Sequence, residues 1–223
     1  MSHHLLDTDQ KAPADILSRL DAHIRLAQPP DAPAIAPLFY QIWQDMGLPL
    51  TAPRQTYLSA LANGIAADQG RFAHSHTLVY IAQDGALLGA LAAYRAEDEP
   101  QLTQQTLACL VDAGLSIDAF LSLEPESQAG EYYLDSLCVM PQARGQGVGT
   151  ALLRTHQLLA AYRQVPLSLL VDRQNPRAHA LYQRLGFHDH GRRTLASHAY
   201  IIMRYTHEDA ERDFASLLSQ LSS

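Results

Sequence analysis

The sequence predicts an α/β fold, because strand-like and helical segments alternate along most of its 223 residues. The clearest sign lies in residues 134–156, where an apolar run is followed by three alternating glycines and then by a helical pattern. A second sign is a pair of strand-like runs at 77–82 and 86–94, joined by an Asp-Gly dipeptide typical of a tight hairpin. The length suits one domain with a sizeable core.

Hydrophobic periodicity predicts the other core elements. We expect a first strand at 23–27, a helix after the prolines that follow it, and a second helix after Pro53. Further elements are expected at about 150–163 (helix), 165–171 (strand), 187–191 (strand) and 199–205 (strand). The apolar faces of the first two helices should carry Ile35, Leu38, Phe39, Ile42, Trp43 and Met46, then Tyr57, Leu58, Leu61 and Ile65.

Three segments extend the core that this pattern describes. Residues 1–22 form an N-terminal extension before a main domain at 23–205, and residues 97–130 form an insertion within that domain. We expect residues 206–223 to form a helical tail, capped by Thr206 with Asp209. Helical spacing in the three segments involves Ile16, Leu17, Leu20 and Ile24; Leu102, Thr106, Leu107, Leu110 and Val111; and Phe214, Leu217, Leu218 and Leu221. We expect the tail to pack on its own domain, with a homodimer contact as the alternative.

The alternating glycines predict a turn that holds a pyrophosphate. Gly145, Gly147 and Gly149 lack a Cβ atom, so the main chain can turn tightly and lie against a ligand. A helix expected to begin at or near Thr150 adds unpaired N–H groups and the positive end of its dipole. The Rossmann fingerprint does not fit, because its third glycine position holds threonine, and a P-loop does not fit, because the loop has no lysine.

Two motifs carry a resemblance to a known family. Arg144, Gly147 and Gly149 match a [Q/R]-x-x-G-x-[G/A] loop, and residues 175–187 match N-x-x-A-x-x-L-Y-x-x-x-G-F. The second motif falls on Asn175, Ala178, Leu181, Tyr182, Gly186 and Phe187. With these motifs the chain resembles the GCN5-related N-acetyltransferases (GNAT), and a weaker resemblance extends over residues 23–205.

The resemblance implies a GNAT fold, a mixed and twisted sheet of six or seven strands flanked by about four core helices. It also implies transfer of an acetyl group from acetyl-coenzyme A to a primary amine, by direct attack in a ternary complex. In the family the loop holds the pyrophosphate, the preceding strand holds the pantetheine arm, and a main-chain N–H, here that of Val139, binds the thioester carbonyl. The coenzyme-binding residues implied are Leu137, Cys138, Val139, Arg144, Gly145, Gln146, Gly147, Val148, Gly149, Thr150, Asn175 and Tyr182.

The resemblance also indicates the acid–base residues. Tyr182 matches the family's general acid, and a phenol with a pKa near 10 can feasibly protonate a thiolate; an aromatic packed on the sheet is the alternative. Asp135 and then Glu131 are candidate bases, since a carboxylate among apolar strand residues needs a reason and residues four apart share a face of a regular strand. A structural hydrogen bond is the alternative for Asp135, and a helix cap is the alternative for Asn175. Further candidate bases in the insertion are Glu97, Asp98, Glu124 and Glu126.

Composition narrows the function classes. A net charge of −7 argues against a broad nucleic-acid surface and weakly favours a cationic amine substrate. No apolar run suits a membrane span and no signal peptide is evident, so we expect a cytoplasmic protein with no membrane partner. Cys109 and Cys138 form no disulfide framework, and Cys138 is interpreted as a small buried hydrophobe rather than a nucleophile. The pairs His74/His76 and His188/His190 lack a third ligand with recognisable spacing, so no metal is expected.

The sequence leaves two questions open. The chain is interpreted as an enzyme, but a non-catalytic acyl-CoA-binding regulatory or sensor module is the alternative, because binding needs only the loop. The acceptor is either a small-molecule amine or a peptide amine. An occluded pocket under residues 97–130 would favour the small molecule and an open groove the peptide, unless the insertion is only a surface embellishment.

Overall fold

The computed structural model describes residues 21–121, 124–163, 165–195, 198–206 and 208–209. Within these ranges seven strands form one sheet, and six α-helices accompany it. The strands are β1 (Ile24–Leu26), β2 (Thr77–Ile81), β3 (Leu87–Arg95), β4 (Tyr132–Val139), β5 (Leu167–Asp172), β6 (His188–Leu195) and β7 (His198–Tyr205). The helices are α1 (Ala32–Asp45), α2 (Arg54–Ala66), α3 (Glu99–Asp112), α4 (Asp118–Leu121), α5 (Val148–Tyr162) and α6 (Pro176–Arg184).

The sheet is mixed, as predicted. Its order is β1-β2-β3-β4-β5-β7-β6, and each neighbouring pair is antiparallel except β4 and β5. The predicted hairpin joins β2 to β3, where Gly85 has a φ of +86° and the Asp84 carboxylate accepts the Ala86 N–H at 3.0 Å. The one parallel pair needs a crossover, and α5 supplies it.

A hydrophobic core lies on each face of the sheet. Successive residues of β3 alternate between the two cores, with Leu91 in one and Ala90 in the other. One core is shared with α5 and α6 and includes Leu134, Leu152, Leu153, Tyr182 and Phe187. The other is shared with α1, α2 and α3 and includes Ile35, Phe39, Trp43, Tyr57 and Leu110. The helical faces predicted for α1 and α2 are therefore packed on the sheet, as expected.

Some boundaries differ from the prediction. Helix α5 begins at Val148, two residues before the expected start, because Gly147 already has the positive φ of +87° at its N-cap. The helix of the insertion is α3, but Val111 is 53% exposed. Ile24 opens β1 rather than continuing a helix.

The predicted cap at the start of the tail is present. The Thr206 N–H donates to Asp209 Oδ2 at 3.0 Å, and the Asp209 N–H donates to Thr206 Oγ1 at 3.3 Å. The proposed N-terminal helix and the apolar stripe of the tail lie outside the described residues, so the expected domain boundaries stay predictions. None of the helices in the described ranges is long and apolar enough to cross a lipid bilayer.

Candidate active site

A gap opens in the sheet between β4 and β5. The two strands pair only from Tyr132 opposite Leu167 to Leu134 opposite Leu169. Beyond that point β4 continues to Val139 and β5 to Asp172, and the register between them ends. The outer edges of these strands are paired with β3 and β7, so it is the two inner edges that can receive a ligand.

The N–H groups of Leu137 and Val139 point into this gap. The N–H of Met140, directly after β4, donates to the Leu88 carbonyl oxygen at 2.8 Å, which lies on the β3 side. Successive N–H groups along a strand point to opposite edges, so those of Val139 and Leu137 point away from β3. A ligand with amide groups in an extended chain can therefore bind β4 as an added strand does.

The glycine loop closes one end of the gap. Gly145 and Gly147 have φ angles of +76° and +87°, which would cost another residue about 1–2 kcal/mol. A Cβ atom at either glycine would have no heavy atom within 4 Å, so backbone conformation rather than crowding favours glycine there. A Cβ at Gly149 would lie 3.4 Å from Val139 Cγ2, because the first turn of α5 packs on the end of β4. Open main chain beside a helix N-terminus suits a pyrophosphate.

Side chains of the predicted coenzyme site have structural contacts of their own. Arg144 Nε donates to the Val139 carbonyl oxygen at 3.3 Å, and the buried Val148 leaves only its main chain for a ligand. The Asn175 side-chain oxygen accepts the Ala178 N–H at 3.1 Å and caps α6, which confirms the cap interpretation. That cap uses only the oxygen, so the amide nitrogen of Asn175 is left for the predicted coenzyme contact.

Tyr182 lies in α6, on the α5 side of the sheet. Its ring packs edge-on against Phe187, with the ring centroids 5.9 Å apart, and the residue is 8% exposed. Burial, with a smaller contribution from the Cys138 thiol, raises the pKa of Tyr182 above its ordinary value. The phenol therefore keeps its proton at neutral pH, as a proton donor must, although it is a weaker acid than the sequence argument assumed.

A β-bulge in β4 is centred on Asp135. Ala92 of β3 pairs with Ser136 and Ala93 pairs with Leu134, so Asp135 is the extra residue. As a result Leu134 and Leu137 pack in the same core although they are three residues apart, which regular alternation does not allow. The strand is thus irregular where the sequence argument assumed that it was regular.

The Asp135 carboxylate is held by three donors. Its Oδ2 accepts the Arg71 Nε–H at 2.7 Å and the Tyr94 hydroxyl at 2.6 Å, and its Oδ1 accepts the Ser136 hydroxyl at 2.7 Å. The side chain is only 6% exposed. Since a carboxylate offers about four acceptor positions, roughly one remains for a water or an amine.

Arg71 joins Asp135 to the insertion. Besides its bond to Asp135, Arg71 donates a hydrogen bond from Nη2 to Glu126 Oε1 at 2.6 Å. The Tyr133 hydroxyl donates to the other oxygen of this carboxylate, Glu126 Oε2, at 2.7 Å. Burial lowers the pKa of Arg71, but Asp135 and Glu126 outweigh that effect and raise it well above its ordinary value. Burial also raises the pKa of Tyr94 and of Tyr133, so both phenols remain hydrogen-bond donors.

Glu99 fixes the other end of this network. Its carboxylate accepts the N–H groups of Glu126 at 2.7 Å and of Ser127 at 2.9 Å, together with the Ser127 hydroxyl. Glu99 is 2% exposed, and its Oε1 lies 3.9 Å from Arg71 Nη2. The buried ionic network, defined as Arg71, Glu99, Glu126 and Asp135 with the two tyrosines, therefore links β4 to residues 97–130.

The buried ionic network forms one side of a cavity of about 170 Å³. The cavity lies between α1, the β4 bulge and the insertion, and it extends to Ser136, the residue before Leu137. Its apolar side is formed by Ile42, Trp43, Met46, Phe72, Leu107 and Phe120. The cavity thus adjoins the strand that borders the gap, and two different ligands can meet at β4.

The other candidate bases have separate positions. Glu131 precedes β4 and pairs with Arg204 of β7 at 2.5 Å, and it is not among the described residues that line the cavity. Glu97 accepts the Gly130 N–H at 2.7 Å, and Asp98 precedes α3 as its N-cap. Glu124, like Glu126, lines the cavity. The structure brings together Asp135 and Glu126 but not Asp135 and Glu131, whose role as a base stays a prediction.

The cysteine of β4 and the two histidine pairs of the sequence have structural surroundings of their own. Burial raises the pKa of Cys138 to about 12, and its thiol donates to the Leu38 carbonyl oxygen at 3.3 Å. In the first histidine pair, His74 Nδ1 lies 2.9 Å from the Ile65 carbonyl oxygen. At the second pair, His188 and His190, the pairing of β6 with β7 shifts register between Asp189 and Gly191. Within the described ranges no group of three or more His, Cys, Asp or Glu is placed to hold a metal ion.

The sequence interpretation missed Arg71, Tyr94, Tyr133 and Glu99. These residues come from separate segments and form no spacing pattern. The one signal was indirect, because a carboxylate at Asp135 among apolar strand residues requires donors. Nothing in the sequence identifies which donors those are.

Comparison with known proteins supports the fold. The model of the acetyltransferase (GNAT) family matches residues 38–187. The crystal structure of an N-acetyltransferase from Staphylococcus aureus Mu50 is 28% identical, with a TM-score of 0.72 over 82% of this chain and 99% of that one. Another acetyltransferase structure is 33% identical, with a TM-score of 0.73 over 82% and 98%. No curated protein sequence matches significantly.

Proposed function

The chain belongs to the GNAT family of acetyltransferases, and we propose that it transfers an acetyl group from acetyl-coenzyme A to a primary amine by direct attack in a ternary complex. Membership of the family makes it an acyl-CoA-dependent N-acetyltransferase. The observation that carries the proposed geometry is the gap between β4 and β5, with inward N–H groups and the glycine loop at its end.

The coenzyme fits this gap by its chemistry. The loop from Arg144 to Thr150 would hold the pyrophosphate, with open space beside two glycines supporting a close approach of the main chain. Leu137, Cys138 and Val139 would hold the pantetheine arm along β4. When bound, the coenzyme supplies an acetyl thioester, whose carbonyl oxygen the Val139 N–H would polarise.

Two side chains would move the protons. As the amine attacks, a C–N bond forms and the C–S bond breaks, so the nitrogen loses a proton and the departing sulfur gains one. Tyr182 keeps its proton at neutral pH and would give it to the sulfur. Asp135 has roughly one acceptor position left and would take the amine proton, directly or through a water. Asn175 and the loop residues have a binding role only.

Thiol release from acetyl-coenzyme A across a panel of primary amines tests this proposal. In the Tyr182→Phe variant we expect kcat to fall about a hundredfold, since general acid catalysis contributes roughly 10²–10⁴-fold. The dissociation constant of coenzyme A should stay within about twofold, because phenylalanine preserves the packing on Phe187.

The outcomes separate catalysis from binding. Turnover with one amine class, lost in the variant, supports the acetyltransferase and its general acid. Equal kcat in both proteins would contradict the role of Tyr182. Coenzyme binding without turnover on any amine would favour a non-catalytic acyl-CoA-binding module instead.

A further inference from the structure

The cavity beside Asp135 is mostly built by the insertion. Nine of its sixteen lining residues fall within residues 97–130, among them Thr103 and Leu107 of α3 and Phe120 of α4. The opposite side comes from α1 and from Phe72. The insertion is therefore part of a pocket, rather than a surface embellishment, and its side chains set the pocket's shape.

The apolar side of the cavity is a rigid aromatic cluster. Trp43 contacts Phe120 edge-on with the ring centroids 4.8 Å apart and lies 6.1 Å from Phe72. All three residues are at most 7% exposed, so their positions are fixed by packing. Such a surface accepts the apolar body of a ligand, since edge-on and offset contacts between rings are favourable.

The size of the cavity limits the occupant. Its volume is about 170 Å³, and an apolar cavity of roughly 150 Å³ in another protein is enough to hold benzene. A ring-sized body fits within this space, whereas an extended peptide or a long polyamine would continue beyond it into solvent. The network around Arg71 also keeps the cavity walls from separating easily, because it ties β4 to the insertion on that side.

Charge limits the occupant further. The cavity is lined by four carboxylates and one guanidinium, those of Glu99, Glu124, Glu126, Asp135 and Arg71. A second guanidinium, that of Arg193, lies beside the lining with its Nη2 3.8 Å from Glu124 Oε2, so the carboxylates still outnumber the guanidiniums by four to two. Arg71 is already engaged by Asp135 and Glu126, so it has little capacity to bind an anionic substrate. A substrate with its own carboxylate would meet like charge, while a protonated amine would meet opposite charge.

We propose that the described parts of the insertion, residues 97–121 and 124–130, form the acceptor pocket and select a compact monoamine with a ring-sized apolar body and no carboxylate. This inference rests on the proposed acetyl transfer and names the acceptor class for the same site. Its geometric basis is the aromatic cluster on one side of the cavity and the carboxylates on the other, adjoining Ser136 at the border of the gap.

The first experiment compares three acceptors that share one phenyl ring with the polyamine spermidine, which has no ring. We expect 2-phenylethylamine to have a kcat/KM at least about tenfold above that of L-phenylalanine, which adds only a carboxylate. A peptide amide beginning with phenylalanine and the polyamine spermidine should be poorer still. A higher kcat/KM for the peptide or for spermidine overturns the proposal.

The second experiment fills the cavity. Thr103→Phe places a ring into it, and we expect the KM for 2-phenylethylamine to rise about tenfold or more, because the introduced ring occupies the space that the ring of the acceptor needs. The control is Gln104→Phe, which makes the same change at the adjacent, exposed position of α3 outside the cavity. Equal KM values in the two variants would overturn the proposal.

A binding measurement separates this proposal from the proposed function. Trp43 is the only tryptophan of the chain and lines the cavity, so 2-phenylethylamine should change its fluorescence in the wild type and in Gln104→Phe but not in Thr103→Phe. That result without any turnover would support the pocket and contradict the acetyl transfer. Turnover with no fluorescence change in any protein would contradict the pocket alone. Unchanged coenzyme A binding in both variants confirms that they are folded.

Discussion

The two proposed halves of the candidate active site, one for the coenzyme and one for the acceptor, are built in different ways. The coenzyme half, the gap between β4 and β5 with its glycine loop, offers mainly main-chain groups from one continuous segment and the helix after it. The acceptor half, the cavity beside Asp135, is formed by side chains from α1, α3, α4, β4 and the loops between them. A main-chain site depends on backbone conformation, whereas a side-chain site depends on packing and charge balance across distant segments.

This difference predicts whether a substitution in each half mainly affects folding or mainly affects ligand binding. Substitutions of the charged residues in the acceptor half should disturb folding, because they leave buried charges without partners. Substitutions at Gly145 and Gly147 should chiefly weaken ligand binding, because no heavy atom of the protein lies within 4 Å of a Cβ atom added there.

The largest expected effect is on the buried ionic network. Arg71→Met leaves Asp135 and Glu126 buried without a cation, and we expect the free energy of unfolding to fall by about 3–5 kcal/mol. Chemical denaturation measures this loss. The control is Arg95→Met, whose pairing with Glu97 is more than a third exposed on both sides and should cost about 1 kcal/mol or less. Similar losses in the two variants would show that the network contributes no more than a surface pair.

The next largest expected effect is on the stability of the folded protein in acid, which depends on His156 of α5. Burial, with a smaller contribution from Arg163, lowers the pKa of His156 to about 3. The unfolded chain takes up this proton near pH 6.5 but the folded protein does not, so stability falls as the pH decreases from 6.5 toward 3, by about 1.4 kcal/mol per unit.

Replacing this histidine should reduce the acid sensitivity. In His156→Phe the loss of stability between pH 6.5 and pH 5 should be smaller than in the wild type by about 2 kcal/mol. Denaturation curves at several pH values measure it, with His188→Phe as the control, since the side chain of His188 is 68% exposed. An unchanged slope in His156→Phe would contradict the burial of a neutral imidazole.

The sequence predicted the local structure of the proposed coenzyme half far better than that of the proposed acceptor half. The glycine loop, the strand before it and the capped helix at Asn175 follow fixed local spacing, because main-chain geometry requires glycine or a cap at particular positions. The β2–β3 hairpin also followed from a local pattern, whereas the mixed sheet followed from the resemblance to the GNAT family. The bulge at Asp135 did not, and without it Glu131 was grouped with Asp135 on one face. Arg71 and Tyr94 have no local signature, since their role exists only after distant segments pack together.

The most direct test of the account is the affinity for coenzyme A of two matched glycine variants. Gly147→Ala and Gly114→Ala place the same methyl group at φ angles of +87° and +73°, in both cases with no heavy atom within 4 Å, so each should lose roughly 1–2 kcal/mol of stability. Because only Gly147 lies in the loop, calorimetric titration should show the dissociation constant rising about tenfold or more in Gly147→Ala and staying unchanged in Gly114→Ala. Equal affinities in the two variants would contradict the claim that the main chain of this loop holds the coenzyme.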